Sequence, residues 1–252
     1  MNKKAIIRQF TTMSKKRGLV FVLIFFLRFV NDAYIKKFFR GSFSQKGEDL
    51  VIEKIIGNKK TGFYVDVGAH NPDIYNNTKR FYMKGWRGIN IEPNPILFKK
   101  FNSERKRDIN LNIGIRKKEG QSTFYDFEVD ALSTFSWEEK NGNLKLGYKL
   151  NHELKVPVKS LRNVIGKYCK NKIDFISVDT EGLDLEVLES NDWKNFRPKA
   201  VCVETGDFNS TVTGKKSDKK NMIDSFMVKN KYTEYFDNGL NTIYLDNLKN
   251  NS

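Results

Sequence analysis

Residues 63–70 read Phe63-Tyr64-Val65-Asp66-Val67-Gly68-Ala69-His70, an apolar run that closes on a glycine. Such a run reads as a buried strand with a tight exit from its sheet. In an open α/β sheet the ligand sits beyond the carboxyl ends of the strands, where a glycine lets backbone approach it closely. A plain strand-to-helix turn accounts for the same residues. The fingerprint G-x-G-x-x-G is absent, since only Gly68 lines the turn, and this counts against a pyrophosphate-bearing cofactor.

Downstream lies Gly88-Ile89-Asn90-Ile91-Glu92-Pro93-Asn94-Pro95, which sets a carboxylate at the end of a second strand, 26 residues after Asp66. A carboxylate there can accept hydrogen bonds from both hydroxyls of a ribose. Its proline flanks favour a fixed side chain over one free in solvent.

Working outward, the periodicity predicts helices over 46–56, 73–84 and 95–103, with Pro95 suited to a first helical turn. Strands are predicted over 62–67, 87–91 and 110–115. The stretch 121–158 is polar, aromatic and poorly periodic, and reads as holding an irregular substrate-facing insertion over 129–152. Beyond it, strands are expected over 173–178, 200–204, 232–236 and 242–245, and helices over 160–170, 183–189 and 218–229. Asn238-Gly239 supplies the turn signal of a closing hairpin. Strands alternating with helices predict an α/β fold with a doubly wound, mostly parallel sheet, as one domain over 41–248. No internal repeat is visible.

The chain has 252 residues and a formal net charge of +15. That surplus is uneven: residues 1–40 hold ten basic side chains and one acidic one, a net +9, leaving +6 for the rest. The body is thus only mildly basic, which argues against a nucleic-acid partner. Within 1–40 the apolar run 19–27 is too short to span a bilayer. It fits a helix lying at an anionic membrane surface, or one packed on the domain or on a partner subunit. A cleaved signal or disorder fits less well, since no small-residue cleavage site follows. Cys169 and Cys202 form no metal-binding pair and no disulfide framework, which favours a reducing compartment. Cys202 reads as a small core hydrophobe.

A resemblance emerges from six motifs together. These are Ser44-Gln45-Lys46-Gly47-Glu48-Asp49, Val65-Asp66-Val67-Gly68-Ala69-His70-Asn71-Pro72, Asn77-Thr78, Gly85-Trp86-Arg87-Gly88, Ile91-Glu92-Pro93-Asn94-Pro95 and Asp174-Phe175-Ile176-Ser177-Val178-Asp179-Thr180-Glu181-Gly182. In order and spacing they resemble FkbM-type methyltransferases, over roughly 43–207. The resemblance implies a class I, Rossmann-like sheet of seven strands with an N-terminal helical extension, and S-adenosyl-L-methionine as cofactor. It implies that Asp66, Gly68 and Ala69 line the methionine and ribose side, that Glu92 binds the ribose hydroxyls, and that Asn112 approaches the adenine. Gln45, Glu48 and Thr78 match positions near the cofactor's amino-acid end. His70 stands where the wider class often has a second glycine, and reads either as a substrate-side base or as a loop hydrogen-bonder.

Methyl transfer from a sulfonium is an in-line displacement, so the protein must align an acceptor oxygen and remove its proton. Asp179 is the first choice as general base or hydroxyl anchor, and Glu181 as the group that orients it or meets the cofactor ammonium. Asp179 as a cap of the next helix is the alternative. Glu204 can join both carboxylates in an oxygen-ligand metal site, but no spacing demands one, and no metal is expected. The implied reaction is O-methylation of a carbohydrate, glycan precursor or related metabolite, of the kind used in polysaccharide biosynthesis. It would take place in the cytoplasm, at the inner face of the cytoplasmic membrane if 1–40 binds there. Nucleic-acid methylation and a catalytically silent scaffold are the competing readings. The oligomeric state is left unassigned.

Overall fold

The computed structural model describes residues 41–169, 172–206 and 218–248. The basic, apolar segment 1–40 lies outside the described residues. The described chain runs α1 (Glu48–Ile56), β1 (Phe63–Val67), α2 (Lys79–Met83), β2 (Arg87–Ile91), α3 (Pro95–Glu104), β3 (Ile109–Leu111), β4 (Gly114–Ile115) and β5 (Gly120–Phe127). It continues with α4 (Trp137–Lys145), β6 (Leu150–Lys159), α5 (Leu161–Tyr168), β7 (Phe175–Val178), α6 (Asp184–Glu189), β8 (Ala200–Glu204), α7 (Asp218–Lys229), β9 (Tyr232–Asp237) and β10 (Asn241–Asp246).

Seven strands form the main sheet in the order β3-β2-β1-β7-β8-β10-β9. All neighbours are parallel except β10, which runs antiparallel to both β8 and β9. This is the class I methyltransferase sheet. The chain winds outward from β1 to β3, then returns to lay β7 on the other side of β1. That reversal opens a crevice at the carboxyl ends of β1 and β7.

Strand alternation sorts the core into two layers. Val65, Ile176, Val201 and Val203 face one side, where they meet Leu161, Ile165, Val187 and Ile223 from α5, α6 and α7. Tyr64, Phe175, Ala200 and Cys202 face the other, against Ile52 of α1, Phe81 of α2 and Trp86. Cys202 is 1% exposed within this layer, the packing role expected of it.

Three sequence expectations are corrected. Only 79–83 of the 73–84 helix forms, because asparagine side chains satisfy the backbone donors that a helix would use. Asn71 Oδ1 accepts from the amides of Asp73 and Ile74, Asn76 Oδ1 accepts from the amide of Thr78, and Tyr75 is left-handed with φ +54°. The 110–115 strand splits at Asn112, whose amide donates to the carbonyls of Glu92 and Pro93; β4 then joins a second sheet. That sheet, in the order β4-β6-β5, draws β5 and β6 almost wholly from the poorly periodic stretch. Residues 151–153 of β6 are exposed on both faces and full burial is confined to Val156 and Val158, so little of its sequence carries apolar alternation. The 129–152 insertion is also more ordered than expected, with a 3-10 turn at Asp130–Leu132 and helix α4.

Candidate active site

The crevice at the carboxyl ends of β1, β2, β7 and β8 holds a cavity lined by Gln45, Asp66, Gly68, Ala69, His70, Glu92, Asp179, Glu181 and Glu204, among others. Residues far apart in sequence, all but Gln45 at or just past a strand end, therefore meet in one place.

Glu92 is 5% exposed and held from both sides. Oε2 accepts from the His70 amide at 2.7 Å and Oε1 from the Asn94 amide at 2.7 Å. Each carboxylate oxygen has capacity for one further donor. Burial pushes this carboxyl up to about 7, against the two amides that favour its charge. Asn94 caps α3, its Oδ1 accepting from Ile96 and Leu97, with Pro95 in the first turn as expected. Asp66 accepts from Thr78 Oγ1 at 2.8 Å, and burial raises it to about 6.

Gly68 has φ +76°, and a Cβ there would lie 1.7 Å from the carbonyl oxygen of Asp179. The glycine therefore admits the backbone of the next loop, rather than a ligand, against the β1 exit. His70 (φ +53°) and Glu181 (φ +51°) are also left-handed, so the loops after β1 and β7 both carry sparsely populated conformations at the cavity wall. His70 Nε2 stands 3.5 Å from Asp130 Oδ1, a residue of the insertion.

On the β7–β8 side, Asp179, Glu181 and Glu204 bring carboxylate oxygens within 4.8 Å of one another. Lys219 of α7 balances part of this charge, contacting Glu204 Oε2 at 2.7 Å and Asp184 Oδ2 at 2.8 Å. Burial first, and the Glu204 charge second, hold Asp179 and Glu181 well above the ordinary carboxylate range. Burial raises Glu204 to about 7, with Lys219 opposing. Shared protons and Lys219 thus relieve the repulsion. Asp179 does not cap α6: Leu183 holds that position, and it is Asp184 that accepts from Thr180 N and Oγ1.

Three predicted residues lie off the cavity wall. Glu48 is fully buried, with Oε1 accepting from Asn238 and Asn241 and Oε2 from the Lys46 amide. Thr78 reaches the cavity only through Asp66. Asn112 secures the Glu92-Pro93 turn from behind. Other contributors carry no role in the sequence reading, although Asn77 and Ser177 stand in two of its motifs. Asn76 and Asn77 line the wall beside the quoted Thr78, and Ser177 accepts from Asn77 Nδ2 at 3.0 Å. Arg105, 0% exposed, ties Asn76 Oδ1 and the Pro72 carbonyl at 2.7 and 3.0 Å. No local pattern marks it.

The family model described as "Methyltransferase FkbM domain" matches residues 66–234. The chain belongs to the FkbM methyltransferase family. Among curated proteins, none matches it. Among solved structures it is similar to the METTL16 methyltransferase domain, at 12% identity over 79% of this chain and 66% of that one, with a TM-score of 0.42. It is also similar to a precorrin-6y C5,15-methyltransferase from Geobacter metallireducens, at 10% identity over 78% and 86% of the two chains, TM-score 0.39. A third is the O-methyltransferase from Bacillus cereus in complex with SAH, at 11% identity over 79% and 77%, TM-score 0.41. The FkbM assignment rests on the sequence match, and the fold on the strand order.

Proposed function

We propose that this FkbM protein uses S-adenosyl-L-methionine to methylate a hydroxyl of a carbohydrate, glycan precursor or related metabolite. The observation that carries the reading is the facing arrangement of Glu92, fixed by two backbone amides, and the Asp179–Glu181 pair in one cavity. The residues fit the cofactor: Glu92 keeps acceptor capacity for a ribose diol, and Leu97, Ile113, Ile115 and Phe124 offer an apolar wall beside it for a base. When bound, the cofactor supplies an electrophilic methyl group. Asp66 and the backbone of 68–70 orient the sugar and amino-acid side. Asp179 takes the proton of the acceptor hydroxyl as the oxygen becomes an ether, and its raised basicity suits that task. Burial, with the Glu204 and Asp184 charges, keeps Asp179 basic, and His70 stands beside Asp130 as an alternative acceptor-side base.

Mass spectrometry of surface glycans from cells with and without the protein tests the acceptor class. The expected result is one methyl group gained on a glycan only when the protein is present. Unchanged glycans would overturn the carbohydrate reading.

A further inference from the structure

Trp137 is the first residue of α4, and 58% of it is exposed, an unusual state for the largest apolar side chain. It is not loosely held. Lys140 Nζ lies 4.5 Å from the indole centroid and is fixed by Glu153 at 2.8 Å, while Tyr125 meets the indole edge-on at 6.3 Å between centroids. Ser136 caps the helix, accepting from the Glu139 amide.

This corner is fastened to the cavity mouth. Thr134 Oγ1 donates to the carbonyl of Glu181 at 2.7 Å, and Thr134 and Tyr125 exchange backbone hydrogen bonds. The Glu139 side chain covers Gly182 so closely that a Cβ there would meet its Cγ at 2.6 Å. Phe135, two residues before Trp137, lines the cavity itself. Two residues span at most about 7 Å, so the Trp137 backbone lies close to the cavity wall.

A rigid indole, covered by Lys140 on one face and still 58% exposed, with carboxylates beside it has the chemistry that holds a sugar ring. The electron-rich face takes the ring's C–H groups, and exposed Glu138 and Glu139 accept from its hydroxyls. We infer that Trp137 is the platform on which the acceptor's pyranose ring stacks, setting which hydroxyl enters the cavity toward Asp179; this rests on the carbohydrate reading above.

The test follows transfer of labelled methyl from S-adenosylmethionine to a panel of pyranosides and oligosaccharides, with the full chain and with Trp137→Ala and Trp137→Phe. Affinity for S-adenosylhomocysteine is measured on each protein. Trp137→Ala is expected to raise KM for the labelled saccharide about tenfold. Its kcat and its S-adenosylhomocysteine affinity should stay at the wild-type values, with Trp137→Phe close to wild type throughout. Saccharides labelled with an unchanged KM in Trp137→Ala would overturn the stacking role while leaving the proposed function standing. A loss confined to kcat would do the same. Label appearing on no saccharide would overturn the carbohydrate reading, and the inference with it.

Discussion

Glu92 sits where burial and hydrogen bonding oppose each other. Two amides favour its charge, yet desolvation outweighs them and lifts the carboxyl from 4.5 to about 7. Between those values the folded chain holds a proton that the unfolded chain has released, so this group's contribution to stability falls as pH rises through the window. Glu92→Gln carries no titrating proton. Its unfolding free energy is therefore expected to gain on the wild type from pH ~5 to ~7.5, by roughly 2 kcal/mol. Denaturant titrations across that range would show it, and a constant gap would contradict it. Asp179 answers to another measurement. Asp179→Asn should lower kcat by about 10²–10⁴ while leaving S-adenosylhomocysteine affinity within a few-fold; a loss of affinity with kcat intact would reverse the two roles. At this scale, strand-end carboxylates were legible because each follows an apolar run. Glu48, Thr78 and Asn112 lie behind the cavity wall; spacing marks a position near the site without telling a wall residue from the one that braces it. Arg105 and Lys219 act across chain separations that no local pattern records.

Elements with a clean period were readable from sequence: β2 and β8 match the expected strands, and α7 the expected helix. Those that failed had competing hydrogen bonds or sparse burial. Asparagines unmade most of the 73–84 helix, and exposure of both faces over the first half of β6 hid the second sheet. The crossing of the β1 and β7 exits is the tightest joint at the site. Gly68→Ala forces both a left-handed alanine and a contact with the Asp179 carbonyl, so it is expected to cost at least about 3 kcal/mol in urea unfolding. Gly239→Ala shares the positive φ but meets nothing within 4 Å, and should cost only about 1–2 kcal/mol. Equal costs would mean that the crossing is slack.

Across the whole molecule, the reversal of winding between β1 and β7 gathers the carboxylates, and β4, β5 and the 3-10 turn at Asp130–Leu132 wall the cavity on another side. No helix among the described residues is long and apolar enough to cross a membrane. The net +9 on residues 1–40 predicts attraction to anionic lipid, at about 1 kcal/mol per cation near the surface. The full chain should float with phosphatidylserine-containing liposomes, and a chain lacking 1–40 should not; equal flotation would remove the membrane reading. The claim on which the rest depends is that the cavity binds the methyl donor through Glu92. Calorimetric titration of S-adenosylhomocysteine into the wild type and Glu92→Ala tests it most directly. A single site in the wild type, weakened roughly a hundredfold in the variant, is the predicted result. No heat with the wild type, or undiminished affinity in Glu92→Ala, would contradict it.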